Sequence, residues 1–423
     1  MPKDKLTDYD STAANNLDVG GISVAEGMLP SGVNNAIREQ MSHLADFAAG
    51  TSGVDVLKLQ DDTDTNSIKL QAPSSVTTTT TFTLPDGDGA SGQTMITDGA
   101  GTLSWAAPYG SRNLIINGAM QVAQRGTSHT LSAGTGSYTL DRVRSQSNGG
   151  GITVSQETNA ISGIGTEKMC RYTGAASVTG VYYVYRIESK DVAQINGNSV
   201  TFSIYIENNS GASISPTIDY YHPTASDNFS GLTTIASSVA LGTIANGSSA
   251  RLKATTDLSG TTITNGLMFQ VNFGSALTSG TIDFTGVQLE VGEQATPFEH
   301  RSYGDELARC QRYYEKSYDQ GTAPLTNTDN GHYTGPGVQG QTSTGELNVY
   351  LHYRVTKRTA PTVTVIDRAE NSGKVSRVDY GVALYNNQNG QADTIGDSGC
   401  RVTSASGSTA SGLQFHFTID AEL

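Results

Sequence analysis

Residues 67–105 read SIKLQAPSSVTTTTTFTLPDGDGASGQTMITDGAGTLSW, and this stretch decides how the rest of the chain is interpreted. Short β-prone pieces alternate with Gly/Asp turns, and positions 77–81 are all threonine. The sizeable apolar groups are Val76, Phe82, Leu84, Met95, Ile96, Leu103 and Trp105. One copy cannot bury enough apolar surface to offset the entropy lost on ordering. The stretch is therefore either disordered or supplied with apolar surface by other copies of the chain. We predict the second, an intertwined β stem over 51–110.

Aspartates occupy the turns of this predicted stem. Asp61, Asp62 and Asp64 form one acidic turn, and Asp-Gly turns follow at 86–89 and 98–99. Asp-Gly pairs are typical of tight turns between β-strands. The aspartates lack the ligand spacing of a calcium-binding loop, so we interpret them as turn residues and predict no metal site.

An amphipathic helix is predicted over 31–48, within an N-terminal segment that spans 1–50. Pro30 and Ser31 are start signals, with Ser31 as the N-cap. Apolar residues recur at helical spacing and form one stripe. The stripe consists of Val33, Ile37, Met41 and Leu44. No neighbouring sequence offers a core to receive it, so we predict that the stripe packs on copies of itself or on another structure.

The remainder of the chain shows the two-residue period of half-buried β-strands. Apolar and polar residues alternate in 200–207 and 267–273, and strands recur at intervals of roughly ten residues. This pattern predicts a large jelly-roll β-sandwich over 111–320. The alternation changes phase at Gly286, which predicts a β-bulge there.

The jelly roll is predicted to end in a helix over 302–318, because Leu307, Cys310 and Tyr314 form a stripe at helical spacing. Alternation returns after residue 344, which predicts a second, smaller β-sandwich over 321–423. The predicted fold class is therefore mainly β, with a short N-terminal helix, a stem and two sandwiches separated by one helix.

The composition argues against several classes of protein. The 423 residues include 48 glycines and 19 tyrosines, and only 16% are charged, which suits β structure with many turns. A net charge of −14 argues against nucleic acid as a partner, because phosphate binding needs clustered Lys and Arg. No apolar run long enough to insert into a membrane occurs, and residues 1–20 lack the apolar region of an export signal. Three distant cysteines suggest no disulfide framework, which favours assembly in a reducing cytoplasm.

We predict no catalytic site and no cofactor. A glycosidase would need two facing carboxylates, and sequence alone brings no two of the candidates together. Those candidates are Asp141, Asp219, Glu290 and Glu299. The chain has no G-x-S-x-G elbow, no phosphate-binding loop and no pair of histidines at metal-ligand spacing. A polysaccharide-degrading enzyme remains the alternative to a binding or structural protein.

Aromatic residues in predicted loops are the candidate receptor-binding residues. Tyrosine and histidine rings can stack on sugar rings, while nearby Asn and Asp side chains bind the hydroxyls. The candidates are Tyr220, Tyr221, His222, His332 and Tyr333. Three further tyrosines at 182, 183 and 185 share one strand, so they divide between its two faces. The competing interpretation for each ring is that it caps the core of its own sandwich.

Several segments resemble tail fibre proteins of tailed bacteriophages, especially those of marine and cyanobacterial phages. Residues 21–46, GISVAEGMLPSGVNNAIREQMSHLAD, resemble the helix motif with which such fibres attach to the virion. Residues 81–105 resemble the trimeric stem motif of these fibres. Residues 112–128, RNLIINGAMQVAQRGTS, and 138–143, YTLDRV, resemble the first part of a fibre jelly-roll domain that is similar to carbohydrate-binding modules. Residues 287–317 resemble the last strand and helix of that domain. Terminal β-domains resemble 349–365 and 413–423. Position 143 is Val where the family pattern often has an aromatic residue.

This resemblance implies a homotrimer that is assembled in the host cytoplasm and resides in the virion as part of the phage tail. The N-terminal stripe would bind tail or adaptor proteins, and the distal β-domains would bind a bacterial surface polysaccharide or other receptor. The interchain contacts of the trimeric stem would be Phe82, Leu84, Met95, Leu103 and Trp105. Two alternatives stay open: a tailspike enzyme that cleaves polysaccharide, and a purely architectural adaptor of the virion.

Overall fold

The computed structural model describes residues 4, 8–10, 12–49, 56–60, 67–71, 74–75, 77, 79–89, 93–97, 100–106, 112–274, 276–336, 338–339, 347–379, 383–404 and 412–423. The acidic turn at 61–64, the Asp-Gly turn at 98–99 and Val76 lie outside the described residues. The chain forms two compact units, Met1–Thr83 and Leu84–Leu423. The second unit therefore begins inside the predicted stem. Within the described residues, no helix is long and apolar enough to cross a membrane.

The described residues of the first unit form one α-helix, a 3₁₀ turn at Ala13–Asn15 and two small hairpins. Its elements are β1 (Asp18–Val19), β2 (Ile22–Ser23), α1 (Pro30–Ala48), β3 (Val56–Gln60) and β4 (Ser67–Gln71). Helix α1 begins at Pro30, with Leu29 as its N-cap, so the prediction of Ser31 as N-cap is wrong. Proline fits the first helical position, where its missing N–H is not needed. His43 is buried, and its Nδ1 lies 2.8 Å from the Tyr9 hydroxyl.

The second unit begins with a hairpin of β5 (Thr94–Thr97) and β6 (Leu103–Ala106). The indole Nε1 of Trp105 donates a hydrogen bond to the Gly87 carbonyl over 2.8 Å. The Trp105 ring covers Gly89, where an added Cβ would lie 2.7 Å from the indole and where φ is +72°. The Trp105 ring therefore packs directly over the Asp-Gly turn at 86–89, because glycine is the residue that leaves space for it.

The large β-sandwich predicted after the stem is confirmed. Its strands, in chain order, are β7 (Ser128–Leu131), β8 (Gly136–Tyr138), β9 (Arg144–Asn148), β10 (Ile152–Thr158), β11 (Lys168–Thr173), β12 (Gly180–Ile187), β13 (Ser199–Asn209), β14 (Thr217–Ala225), β15 (Asn228–Ala240), β16 (Ser248–Asp257), β17 (Leu267–Asn272) and β18 (Thr281–Val291). Sheet 1 has the order β16-β13-β18-β11-β10-β7, and sheet 2 has the order β15-β14-β17-β12-β9-β8. One continuous apolar core lies between them and includes Val143.

The predicted bulge at Gly286 is also confirmed. Ser203 pairs with Gln288, but Tyr205 pairs with Thr285, so two residues of β18 oppose one residue of β13. Gly286 has a φ of +59°, and an added Cβ would lie 1.9 Å from the Ile164 side chain. A residue with a Cβ would therefore be both strained and overpacked at this position.

The helix predicted over 302–318 is shorter than expected, because α2 spans Tyr303–Gln311. Ser302 is its N-cap and accepts a hydrogen bond from the Asp305 N–H over 3.2 Å. Beyond the helix, β19 (Tyr314–Lys316) pairs with the last strand of the chain. The helical spacing of the sequence over 314–316 is therefore a coincidence, because pairing with the last strand makes these residues a strand.

The last part of the chain forms one nine-stranded antiparallel sheet, sheet 3, around its own core. After β19 its strands are β20 (Tyr333–Pro336), β21 (Val338–Gln339), β22 (Leu347–His352), β23 (Thr362–Ile366), β24 (Lys374–Asp379), β25 (Ala383–Asp393), β26 (Gly399–Ser404) and β27 (Gly412–Asp420). Strand β27 is the hub, because it pairs with β19, β20, β23 and β24. The predicted domain boundary at 320/321 separates β19 from the rest of this sheet.

A buried polar network joins sheet 3 to the sandwich. The guanidinium of Arg142 pairs with the Glu422 carboxylate and lies 3.7 Å from the centre of the Tyr313 ring. Arg125 pairs with Asp420 over 2.9 Å. Of the two pairs, only Arg142–Glu422 is withdrawn from water on both sides, and such a pair is strong only while both partners are present.

Candidate functional site

The outer face of sheet 2 is the candidate site, and strand alternation creates it. In β12, Val181, Tyr183 and Tyr185 point into the main core. Successive side chains of a strand point to opposite faces, so Tyr182 projects outward. The tyrosines at 182, 183 and 185 divide between the two faces as the sequence predicts. The neighbouring strands follow the same rule, because Ile218, Phe269 and Val271 are core residues.

The registers bring polar and aromatic side chains together on this outer face, which we call the sheet 2 platform. Tyr182 pairs with Gln146 of β9 on one side and with Asn272 of β17 on the other. One step along the strands, Gln270 pairs with Asp219 of β14. One step further, Tyr221 pairs with Met268. The platform consists of Gln146, Tyr182, Asp219, Tyr221, Gln270 and Asn272.

Local contacts hold the two outward tyrosines in place. The Asn148 amide donates to the Tyr182 hydroxyl over 3.2 Å. The Tyr182 ring extends over Gly180, where an added Cβ would lie 2.8 Å from the hydroxyl oxygen. Burial, and next the nearby Asp219 carboxylate, raise the pKa of Tyr221, so its hydroxyl keeps its proton and can donate. Asp219 itself accepts from the Ser238 N–H over 2.5 Å.

This chemistry suits a ligand that is rich in hydroxyl groups. Two tyrosine rings offer apolar faces for stacking. Amide side chains between them both donate and accept hydrogen bonds, and Asp219 accepts. All of these groups stand on paired strands rather than on loops, so the platform is rigid.

One end of the sheet 2 platform is closed by a small apolar cluster. Phe229, Met268 and Val184 are buried together, and Tyr182, Tyr221 and Leu423 pack against them. Leu423 comes from the terminal segment (residues 421–423) that follows β27. The last residues of this sequence thus contribute to a site built otherwise from the sandwich.

The predicted receptor-binding residues of β14 differ in whether they are accessible to a ligand. Tyr221 lies on the platform. Tyr220 is 0% exposed and belongs to the core, so the prediction that its ring is available to a ligand is wrong. His222 is half-buried in the same strand. The predicted loop after Pro223 is a continuation of β14 and a tight turn into β15, since Ala225 pairs with Asn228.

His332 and Tyr333 are held inside sheet 3. The side chain of His332 is only 7% exposed, and its ring centre lies 4.0 Å from that of His416. The Tyr333 ring packs on Phe415, and its hydroxyl donates to the Tyr350 carbonyl over 2.9 Å. Neither ring is presented for stacking on a ligand, because each already has an aromatic neighbour. These two residues therefore contribute no open surface as they stand.

His416 is a buried neutral histidine in this cluster. Its Nε2 donates to the Thr328 carbonyl over 3.1 Å, so its Nδ1 accepts from the Ser317 hydroxyl over 2.8 Å. The ring stacks on Tyr318 with centres 3.7 Å apart. Burial lowers the pKa of His416 from 6.5 to about 4.

Sheet 3 is expected to lose stability in acid because of His416. The unfolded chain binds a proton near pH 6.5, whereas the folded state resists protonation until about pH 4. The contribution is thus fully present above pH 6.5 and is lost as pH falls towards 4. Thermal unfolding between pH 7 and pH 4 should show a steeper decline for the parent protein than for His416→Leu. Parallel profiles for the two proteins would contradict this assignment.

The candidate carboxylates for catalysis are separately engaged. The Asp141 carboxylate accepts from the Gln124 backbone and side chain, and burial raises its pKa. Glu290 accepts from Thr296, and Glu299 accepts from the Asn113 N–H. Only Asp219 lies on the platform. Among the described residues, no cluster of three or more His, Cys, Asp or Glu side chains could hold a metal ion.

Sequence reasoning missed Gln146, Gln270 and Asn272. The alternation of 267–273 contains the signal, because the polar residues between apolar ones must point away from the core. It identifies Gln270 and Asn272 as outward but not as neighbours of Tyr182. That proximity depends on the pairing of β17 with β12, which are 80 residues apart in the chain and have no local signal.

A second exposed apolar surface lies on α1. The predicted stripe of Val33, Ile37, Met41 and Leu44 is between 44% and 63% exposed. The buried residues of the same helix are Ala36 and His43, which lie to one side of the stripe. Phe82, Leu84 and Met95 of the predicted stem are exposed as well, whereas Leu103 and Trp105 are half-buried. Apolar groups of this size are normally covered, so both segments have the character of interaction surfaces.

Comparison with known proteins assigns no family to this chain. No family model matches, and no curated protein matches. Among solved structures, the enzymatically active domain of tailspike protein 4 from bacteriophage CBA120 is 10% identical over 43% of this chain and 21% of that chain, with a TM-score of 0.29. This chain therefore spans about a fifth of that domain.

Two carbohydrate-binding modules also match. The CBM22-1 xylan-binding domain of Xyn10C from Paenibacillus barcinonensis is 13% identical over 41% of this chain and 100% of that one, with a TM-score of 0.26. A CBM4 structure is 14% identical over 42% of this chain and 98% of that one, with a TM-score of 0.26. TM-scores of this size carry no conclusion about the function of this chain.

Proposed function

We propose that this protein is a binding protein for bacterial surface glycans and that the sheet 2 platform is its binding site. The observation that carries the proposal is the arrangement of Tyr182 and Tyr221 on one outward face. Amide side chains of Gln146, Gln270 and Asn272 lie between or beside them. The tyrosines would stack on sugar rings, and the amides would bind the hydroxyls.

The proposal includes the architecture of a homotrimeric phage tail fibre. The exposed stripe on α1 supports this, because three copies could cover it by packing against one another or against a tail or adaptor protein. The exposed Phe82, Leu84 and Met95 support an intertwined stem in the same way. The resemblance of 21–46 and 81–105 to fibre motifs points in the same direction and supports a location in the virion.

Binding without catalysis is part of the same proposal. Asp219 is the one candidate carboxylate on the platform, and a glycosidase needs a second one facing it across the substrate. Three sites on one trimer would compensate for a weak individual site, because linked sites raise the effective concentration of the ligand.

The platform tyrosines are expected to be essential for glycan binding. Tyr182→Ala should weaken binding roughly 30-fold, equivalent to about 2 kcal/mol, because a half-buried stacking ring at the centre of a site is an energetic hot spot. The measurement is binding of the full chain to an array of bacterial capsular polysaccharides and lipopolysaccharides. Tyr350→Ala is the matched control, since Tyr350 is an exposed tyrosine on β22 of sheet 3.

Two results would count against this proposal. Equal losses for Tyr182→Ala and Tyr350→Ala would move the site away from sheet 2. An absence of binding across the array, together with failure of the full chain to compete with phage for host cells, would favour a purely architectural role. The release of new reducing ends from a bound polysaccharide would favour the enzyme.

A further inference from the structure

The two ends of the sheet 2 platform differ in height. Beyond Tyr182, the next outward position of β12 is Gly180, which pairs with Asn148 of β9. Glycine has no side chain, so the Tyr182 ring and the Asn148 amide bonded to its hydroxyl lie over the sheet at this end. At the other end, the apolar cluster of Val184, Met268 and Phe229 rises from the sheet, with Leu423 against it. A ligand lying along the strands therefore meets a wall at the end where Phe229 and Leu423 lie.

The wall is fixed by contacts to the backbone of the terminal segment. The Leu423 carbonyl accepts from the Tyr138 hydroxyl over 3.0 Å and from the Arg186 guanidinium. Arg358 donates to the carbonyls of Ala421 and Glu422 over 3.0 and 3.2 Å. These bonds come from β8, β12 and the segment before β23, so the terminal segment is anchored on both of its sides.

Buried charge strengthens the same anchor. The Glu422 carboxylate pairs with Arg142 and lies 3.5 Å from Arg125. Both Arg142 and Glu422 are nearly excluded from water. Separating such a pair leaves an uncompensated buried charge, which is strongly unfavourable. The wall therefore stays in place while a ligand binds, because displacing it would require breaking the buried Arg142–Glu422 pair.

We propose that the sheet 2 platform binds the end of a glycan chain rather than its interior. The proposal rests on the proposed glycan-binding function and adds the class of ligand to it. The terminal sugar lies against the wall near Tyr221 and Val184, and the rest of the chain leaves over Tyr182 and Gly180. An interior segment would have to continue through the space that Phe229 and Leu423 occupy.

The stoichiometry of binding distinguishes binding to chain ends from binding to interior segments. The experiment does not require knowing which end of the glycan is bound. The probe is the polysaccharide that binds most strongly on the array, either intact or shortened by partial acid hydrolysis. For chain ends, the moles of protein bound at saturation per gram of glycan should rise about tenfold when the chains are shortened about tenfold, because the number of independent sites per gram rises equally. Calorimetric titration of the full chain gives this number.

A variant that opens the wall provides the second arm. Phe229→Ala with Leu423→Gly should increase saturation binding to intact polysaccharide several-fold, because interior segments gain access. Leu325→Ala is the control, since Leu325 is exposed and lies in the segment between β19 and β20. Saturation binding per gram that is independent of chain length in the parent protein would overturn the chain-end proposal while leaving glycan binding intact. Failure of every polysaccharide to bind would overturn both.

Discussion

Lys357→Met is expected to destabilise sheet 3 by about 3–5 kcal/mol, the usual result of removing one member of a buried ion pair. Lys357 and Glu315 have side chains that are 0% exposed, and Nζ lies 2.5 Å from the carboxylate. Burial lowers the pKa of Lys357, and the Glu315 carboxylate opposes that shift. Nζ also donates to the Gln311 carbonyl at the end of α2 over 2.6 Å. Hydrogen exchange of the β27 amide groups measures the loss.

The reason for the expected loss is the carboxylate that remains behind. Glu315 would retain only the Arg354 N–H as a hydrogen-bond donor, at 3.1–3.2 Å. A double variant, Lys357→Met with Glu315→Leu, should recover more than half of the loss, because no charge is then buried. Lys253→Met on exposed β16 is the control and should change stability little. A single-variant loss below about 1 kcal/mol, or strictly additive losses in the double variant, would contradict the ion-pair argument.

Ile37→Asp with Leu44→Asp is expected to convert the protein to a monomer and to reduce its apparent affinity for host cells by about 10²–10⁴-fold. Two carboxylates in the centre of the α1 stripe cannot be desolvated when chains pack together. The fold of each chain should persist, because both side chains already face solvent. Light scattering gives the subunit number, and cell-binding assays give the loss of affinity.

A matched control is available on the same helix. Asn35→Asp with Ser42→Asp introduces the same charge at the same seven-residue spacing, but at exposed positions outside the stripe. These changes should leave the trimer intact, because a shift of two residues along an α-helix turns the side chain by about 200°. A parent protein that sediments as a monomer would remove the basis for the trimer and for the multivalent binding that depends on it.

Local sequence pattern was sufficient for those features that local physics determines. The alternation in β12 and β17 identified the strands, and the change of phase at Gly286 identified the bulge. The α1 stripe was identified too, and its four residues are exposed within the part of the chain that the structure describes. Each of these depends on the period of a single element, which the sequence displays directly.

Tertiary pairing accounts for the errors. Residues 314–316 have a helical pattern, but β27, which lies about a hundred residues later, captures them as a strand. Tyr220 and Tyr221 are adjacent tyrosines, and only the direction of the core decides which one is buried. The wall at Leu423 could not be predicted, because it depends on how sheet 3 lies against the sandwich within the second unit.

The position of β27 as hub of sheet 3 has a consequence for biosynthesis. Its residues are translated after those of the four strands that it joins, so sheet 3 cannot close until residues 412–420 have left the ribosome. Until then, the edges of β19, β20, β23 and β24 are open to pairing with other nascent chains. A message that terminates before codon 412 would thus yield an aggregation-prone polypeptide rather than a shortened working one.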